Sequence, residues 1–273
     1  MNASHRSPQH QGIFYPAEAA VLQQQLDYLL STDTTALNGN IKALIAPHAA
    51  YDYSGRIAGQ AYAALREQPV PRRLVILAPN HQNTVGGALI CSHDYWATPL
   101  GELAVDRAFI RQHWQNQSYI TVDNATHQAE YSIEVQLPFI QQALPGVPIV
   151  PVLLSADDPA QIRQMLRPAW DDDHTLIIIS SDLYHHLPRE AALKAGLHIA
   201  RLIENNDAEN ISVEYACGHI GLRGVMQLAI PEHYFWHTLA LQHSGQDNRF
   251  NAASYVGYGA FLLMHKTGST SGR

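Results

Sequence analysis

Short apolar runs alternate with stretches of helical spacing along most of this chain. Between Ala17 and Ser31, the residues Val21, Leu22, Leu26, Leu29 and Leu30 recur on one face, which predicts an amphipathic helix. Ile41–Ala46, Leu74–Ala78, Ala88–Cys91, Val147–Leu154 and Thr175–Ser180 are runs rich in Ile, Val and Leu that read as strands. Between and after them, Ser54–Glu67, Val105–Trp114, Tyr131–Leu144, Pro159–Trp170 and Arg189–Glu204 carry the helical period, and Gly224–Ile230 reads as a further short helix. Near-continuous apolar strands separated by helices predict a sheet covered on both faces. The last third changes rhythm: Tyr234–His243 and Ser254–His265 are longer alternating segments, expected to form an antiparallel edge. No linker rich in Pro, Gly and Ser divides the chain. The expectation is one α/β domain with a central mixed, mostly parallel sheet flanked by helices, a core over 6–265, and a tail that frays from about Thr267 onward.

Composition narrows the function classes. The chain has 273 residues, enough for a large core, and only 15% charged residues, which excludes a disordered or heavily solvated chain. A formal charge of −7 provides no electrostatic footprint for nucleic acid. No apolar run approaches the ~20 residues needed to cross a bilayer, and the first residues lack the apolar core of a secretory signal. Two cysteines, Cys91 and Cys217, cannot build a disulfide framework, so a reducing, cytoplasmic setting is expected. The 16 histidines nearly equal the 17 lysines and arginines, and histidine is both the commonest metal ligand and the usual proton shuttle.

Three strand ends concentrate the chemistry. Ile41–Ala46 runs into Pro47-His48, Leu74–Ala78 into Pro79-Asn80-His81, and the third apolar run into Ser180-Ser181-Asp182-Leu183-Tyr184-His185-His186. In open α/β sheets, ligands bind beyond the carboxyl ends of the strands. Two histidines on neighbouring strand ends can converge on one ion and leave positions open, although each could equally cap its strand by bonding a loop carbonyl. Asp182 and His185 are spaced so that a carboxylate can orient an imidazole, and the competing reading is a helix cap with His186 facing solvent. Cys217 precedes Gly218-His219-Ile220-Gly221, where a helix dipole would favour a metal-binding thiolate, though a free cysteine is more often a small buried apolar residue. Cys91, inside a strand-like run, fits that second fate. His93, His113, His174, His198, His233, His237, His243 and His265 have no companion motif. Walker loops, Gly-x-Ser-x-Gly elbows, His-Glu-x-x-His and Cys-x-x-Cys are missing from the sequence.

Taken in order, Gly12-Ile13-Phe14-Tyr15-Pro16, Ala46-Pro47-His48 with Tyr51 and Ser54-Gly55, Pro79-Asn80-His81, Glu130 through Phe139, Ser180 through His185, and Cys217-Gly218 resemble the MEMO family. Its prokaryotic members are called AmmeMemoRadiSam system protein B. The resemblance implies a fold similar to the class III extradiol dioxygenases, with His48, His81 and Cys217 as ligands of a divalent metal. Iron is favoured by analogy with that fold, and copper or zinc suits the same donors. It further implies His185 and Asp182 as an acid/base pair, with Tyr51, Asn80, His127 and Tyr131 around the centre. Tyr131 stands where the family commonly has histidine, and His127 lies one helical turn before it. Two functions stay open: a dioxygenase-like redox enzyme, or a non-catalytic accessory that holds a metal, peptide or small molecule, with a radical S-adenosylmethionine protein as a candidate partner.

Overall fold

The computed structural model describes residues 3–31, 39–82, 86–115, 117–155, 158–245 and 254–266. In chain order its first elements are β1 (His5–Arg6), α1 (Ala19–Leu29), β2 (Ile41–Ala46), α2 (Tyr51–Ala63), β3 (Arg73–Pro79), β4 (Ala88–Ile90), β5 (Tyr95–Thr98) and β6 (Gly101–Ala104). There follow α3 (Arg107–His113), β7 (Ile120–Val122), α4 (Asn124–Ala129), a 3-10 turn (Glu134–Gln136), α5 (Leu137–Ala143), β8 (Ile149–Leu154), α6 (Pro159–Trp170) and β9 (Thr175–Ser180). The chain ends with α7 (Arg189–Glu204), α8 (His219–Met226), β10 (Tyr234–His243) and β11 (Gly257–His265). The tail expected to fray from Thr267 lies outside the described residues.

An eight-stranded sheet of order β10-β11-β2-β9-β3-β8-β4-β7 forms the centre. Its middle strands β2, β9, β3 and β8 are parallel, while β11 and β4 flank them antiparallel. Every residue of β8 and β9 is buried, as continuous apolar runs between two helical layers require. The helices bury one face each: α1 turns Leu22, Leu26 and Leu29 inward. The expected antiparallel edge is present, with β10 pairing β11 along its whole length. The fold is α/β with a mixed sheet, as the apolar pattern predicts.

Local departures have local causes. The helix expected to start at Ser54 begins at Tyr51, directly after the His48 exit, with Ala50 extended as its cap. The helix expected over Tyr131–Leu144 is broken into a turn, the 3-10 segment and α5, because Glu134 and Gln136 are buried and their side chains bind other segments. The short helix read at Gly224–Ile230 lies instead at His219–Met226. Its glycines are packing contacts: a Cβ at Gly224 would lie 2.6 Å from Ile162 Cγ2 of α6. The pattern missed a small sheet, β1-β5-β6, whose strands are too short to show a period.

That small sheet fastens the N-terminal segment against the carboxyl side of the fold. Arg6 is fully buried and its guanidinium pairs with Glu134 at 2.7 Å, both side chains without solvent exposure. It also donates to the carbonyls of His127 and Glu130 and stacks over Trp96. Glu134 in turn accepts from the amides of Gln9 and His10 and from the Tyr15 hydroxyl. A buried pair completed by so many hydrogen bonds is costly to halve. Arg6→Ala is expected to cost about 3–5 kcal/mol in urea unfolding, because it leaves the Glu134 charge uncompensated; a loss below ~1 kcal/mol would show that water replaces the guanidinium.

Candidate metal centre

The three adjacent strands β2, β9 and β3 end side by side, and the chain leaving each carries one of the singled-out motifs. His48 follows β2, Ser181 and Asp182 follow β9, and His81 follows β3 by two residues. Cys217 comes from a separate segment, just ahead of α8. It can approach because Gly218 has no side chain: a Cβ there would lie 2.7 Å from Ser181 Cβ and 2.8 Å from the Ser180 carbonyl. The Gly218 amide donates to Ser181 Oγ at 2.9 Å, and the Cys217 amide donates to the Asp182 carbonyl at 3.2 Å. One ligand atom from each of His48, His81 and Cys217 falls within 4.8 Å of the others, so the three can hold one metal ion.

Hydrogen bonds decide which nitrogen each histidine offers. Glu130 Oε1 accepts from His81 Nδ1 at 2.9 Å, and Oε2 accepts from the His81 amide at 2.8 Å. Burial opposes the Glu130 charge, but the His81 side chain and nearby amides hold its pKa down to about 2. An ionised carboxylate only accepts, so the proton sits on Nδ1 and Nε2 keeps its lone pair. Ser180 Oγ does the same for His48. It donates to the Ser132 carbonyl at 2.7 Å and accepts from Gln136 Nε2 at 2.8 Å, which leaves it an acceptor for His48 Nδ1 at 2.9 Å.

His48 Nε2 therefore faces the sulfur of Cys217, 3.3 Å away. A nitrogen and a sulfur brought this close are donors that one ion could share. The donor set fits a metal. Burial, followed by the charge of Asp182, pushes the Cys217 thiol pKa up despite the adjoining helix N-terminus, so without an ion the sulfur carries a proton toward His48. Burial and neighbouring His81 lower the His48 pKa to about 3, so this imidazole stays neutral and available.

A family model described as Memo-like protein matches residues 6–216. The chain belongs to the Memo-like family. A MEMO1 family protein of Metallosphaera sedula is 28% identical over 275 residues, covering 93% of this chain and 97% of the relative. Another from Archaeoglobus fulgidus is 34% identical over 190 residues, 68% of this chain and 69% of its own. The crystal structure of an uncharacterized protein from Escherichia coli K12 superposes with a TM-score of 0.52 at 11% identity, over 82% of this chain and 99% of that one. That likeness shows the fold.

The remaining candidates of this Memo-like protein divide into near and far. Tyr131 is near, its ring parallel to His81 at 5.0 Å and edge-on to His48 at 5.7 Å. Asp182 is buried, and its Oδ1 accepts from the amides of His48 and Ala49. Burial raises its pKa to about 6 against those bonds. His185 is exposed and close enough to Asp182 and His81 to feel their charges, with His186 beside it in a left-handed conformation, φ 58°. Asn80 supports the turn that carries His81: its Oδ1 accepts from the Gln82 amide, and its Nδ2 donates to Ser155. Tyr51 and His127 do not join the centre. Tyr51 donates to the Val135 carbonyl within the core, and His127 is fully buried with Nε2 on the Leu89 carbonyl. Cys91 is buried beside Trp96, the fate its strand context suggests.

Sequence reasoning did not single out Glu130, Ser180 or Gln136 as parts of the site. Glu130 and Gln136 stood inside the stretch carrying the resemblance, and their signal was a polar side chain amid apolar neighbours. Two outcomes follow from the network. Metal loading should release about one proton per ion between pH 7 and 8, since the thiol is protonated and His48 neutral beforehand; affinity then rises about tenfold per pH unit, measurable by calorimetry in buffers of differing ionisation enthalpy. Ser180→Ala, which removes the acceptor for His48 Nδ1, should weaken metal binding about 10–100-fold by competition titration.

Proposed function

We propose that this Memo-like protein is a metal-dependent oxidoreductase of the dioxygenase-like kind, holding one divalent ion, iron favoured, on His48, His81 and Cys217. The observation that carries the reading is the convergence of three donor atoms within 4.8 Å, two from the exits of β2 and β3 and one from the loop before α8. Its complement is the hydrogen bonding of both Nδ1 atoms to acceptors, which directs both Nε2 atoms to the ion. Bound iron would supply a Lewis acid with exchangeable positions for an oxygen-ligating substrate such as an aromatic diol. Copper and zinc suit the same two imidazoles and thiolate by affinity, and iron is preferred on the likeness of fold alone.

The chain's own residues supply the rest of the chemistry. His185 is only partly screened from solvent, and that screening lowers its proton affinity while Asp182 opposes the effect. A neutral imidazole there is a base for a hydroxyl proton arriving from solvent. Asp182 holds the main chain that presents His48. Tyr131 walls one flank and keeps water from the His81 face.

The bonding of Asp182 to backbone amides, with no hydrogen bond to His185 among the described residues, favours a second reading. In it, the same centre binds a metal with a small molecule or peptide, without turnover, as an accessory to a radical S-adenosylmethionine protein. The two readings separate in one series. Anaerobically purified protein should retain about one metal per chain, and Cys217→Ser should lose most of it. Iron-loaded protein should consume oxygen with at least one catechol of a broad panel. His185→Ala should reduce that rate about 10²–10⁴-fold with the metal still bound. Stoichiometric metal with no turnover across the panel selects the accessory reading.

A further inference from the structure

The three ligands are held to very different degrees. His48 is buried, with its amide on Asp182 and its Nδ1 on Ser180. The Cys217 sulfur accepts from the Asp182 amide at 3.2 Å. His81 lies in a turn past the end of β3 and its side chain is 30% exposed, with Glu130 its one side-chain hydrogen-bond partner among the described residues. One hydrogen bond on the edge of an imidazole acts as a hinge. It fixes where Nδ1 sits but leaves the ring plane free to tilt, and a tilt swings Nε2 away from the other two donors.

The face of that ring is covered by Tyr131. The two rings lie 5.0 Å apart with an interplanar angle of 4°. Behind Tyr131 stands Phe14, 4.4 Å away and inclined by 25°. Phe14 is itself anchored, since its carbonyl accepts from the Tyr51 amide at 2.8 Å at the start of α2. His10 meets Phe14 and Tyr131 edge-on. Glu130 and Tyr131 are consecutive in the chain, so one residue grips the edge of the imidazole and the next bears on its face. The resulting plane stands at 81° to that of His48.

We propose that Tyr131 is a positioning residue of the metal centre: backed by Phe14, its ring sets the plane of the His81 imidazole so that Nε2 converges with His48 and Cys217. This rests on the reading of those three side chains as one metal site. The phenol hydroxyl has no part in it. Phenylalanine at the position therefore does the same work, and a residue without a ring does not.

The test uses cobalt(II) as probe, added anaerobically to the full chain. Affinity is measured by chelator competition, and geometry by the ligand-field bands. Tyr131→Phe should bind within about twofold of wild type with unchanged bands. Tyr131→Leu should bind about tenfold more weakly, within the usual range for a lost supporting contact, with shifted and weakened bands. A role in folding alone would lower the melting temperature without moving the bands. Should Tyr131→Leu fail to fold, Phe14→Leu carries the test, since it removes the backing ring and leaves every ligand in place; a several-fold loss of affinity with altered bands is expected. Unchanged affinity and bands in Tyr131→Leu, or in Phe14→Leu where it stands in, would overturn the proposal while leaving the centre standing. Equal losses in Tyr131→Phe and Tyr131→Leu would overturn it too, by assigning the effect to the hydroxyl. Wild-type protein that takes up no stoichiometric cobalt would remove the centre itself, and this inference with it.

Discussion

A histidine offers a metal only the nitrogen that its other hydrogen bond leaves free, and the organisation of this protein follows from meeting that condition twice. Glu130 takes the Nδ1 proton of His81, and Ser180 takes that of His48. Neither acceptor stands alone. The Glu130 carboxylate is saturated by the amides of His81, Tyr131 and Ser132, and the Ser180 hydroxyl is oriented by Ser132 and Gln136. A buried network of this kind stiffens when every member is satisfied. The segment from Glu130 to Gln136 cannot continue as one regular helix because its polar side chains are committed to the network.

The N-terminal segment completes this arrangement. Arg6 bridges Glu134 and the carbonyls around Glu130, while Phe14 packs behind Tyr131. An early piece of chain thus braces a loop more than a hundred residues later, through a buried ion pair on one side and stacked rings on the other. A charge pair buried so completely gains little over well-packed apolar side chains, but it tolerates few geometries. Its use here is consistent with a need for fixed placement.

Having a cysteine as the third donor shapes what the cluster could do. A buried carboxylic acid ionises far more readily than a buried thiol. This sulfur keeps its proton until an ion displaces it, and it faces a histidine that burial keeps neutral. Loading and deprotonation are one event. A soft thiolate also widens the range of ions such a cluster could accept, so supply and ligand geometry would bear on which ion binds as much as affinity.

Much of this is legible in the sequence. Continuous apolar runs mark β2, β3, β8 and β9, because strands buried on both faces cannot alternate; the Pro-His and Pro-Asn-His exits mark two candidate ligands, because prolines end strand pairing where the chain leaves the sheet. The long alternating segments at the end mark β10 and β11. The short strands β1, β5, β6 and β7 are not legible, since two to four residues show no period and these, unlike the fully buried β4, are not continuously apolar. The placement of α8 was obscured by glycines that serve contacts with Ser181 and Ile162. Chain order alone could not say that β2, β9 and β3 end as neighbours. Nor could it show that Glu130 and Ser180 choose the histidine tautomers, that Tyr131 lies flat on His81, or that His127 bonds elsewhere. Periodicity reports how a residue meets the nearest layer of the fold. Which side chains from distant segments share a few ångströms is settled only when the layers pack, and a metal site is made of such coincidences.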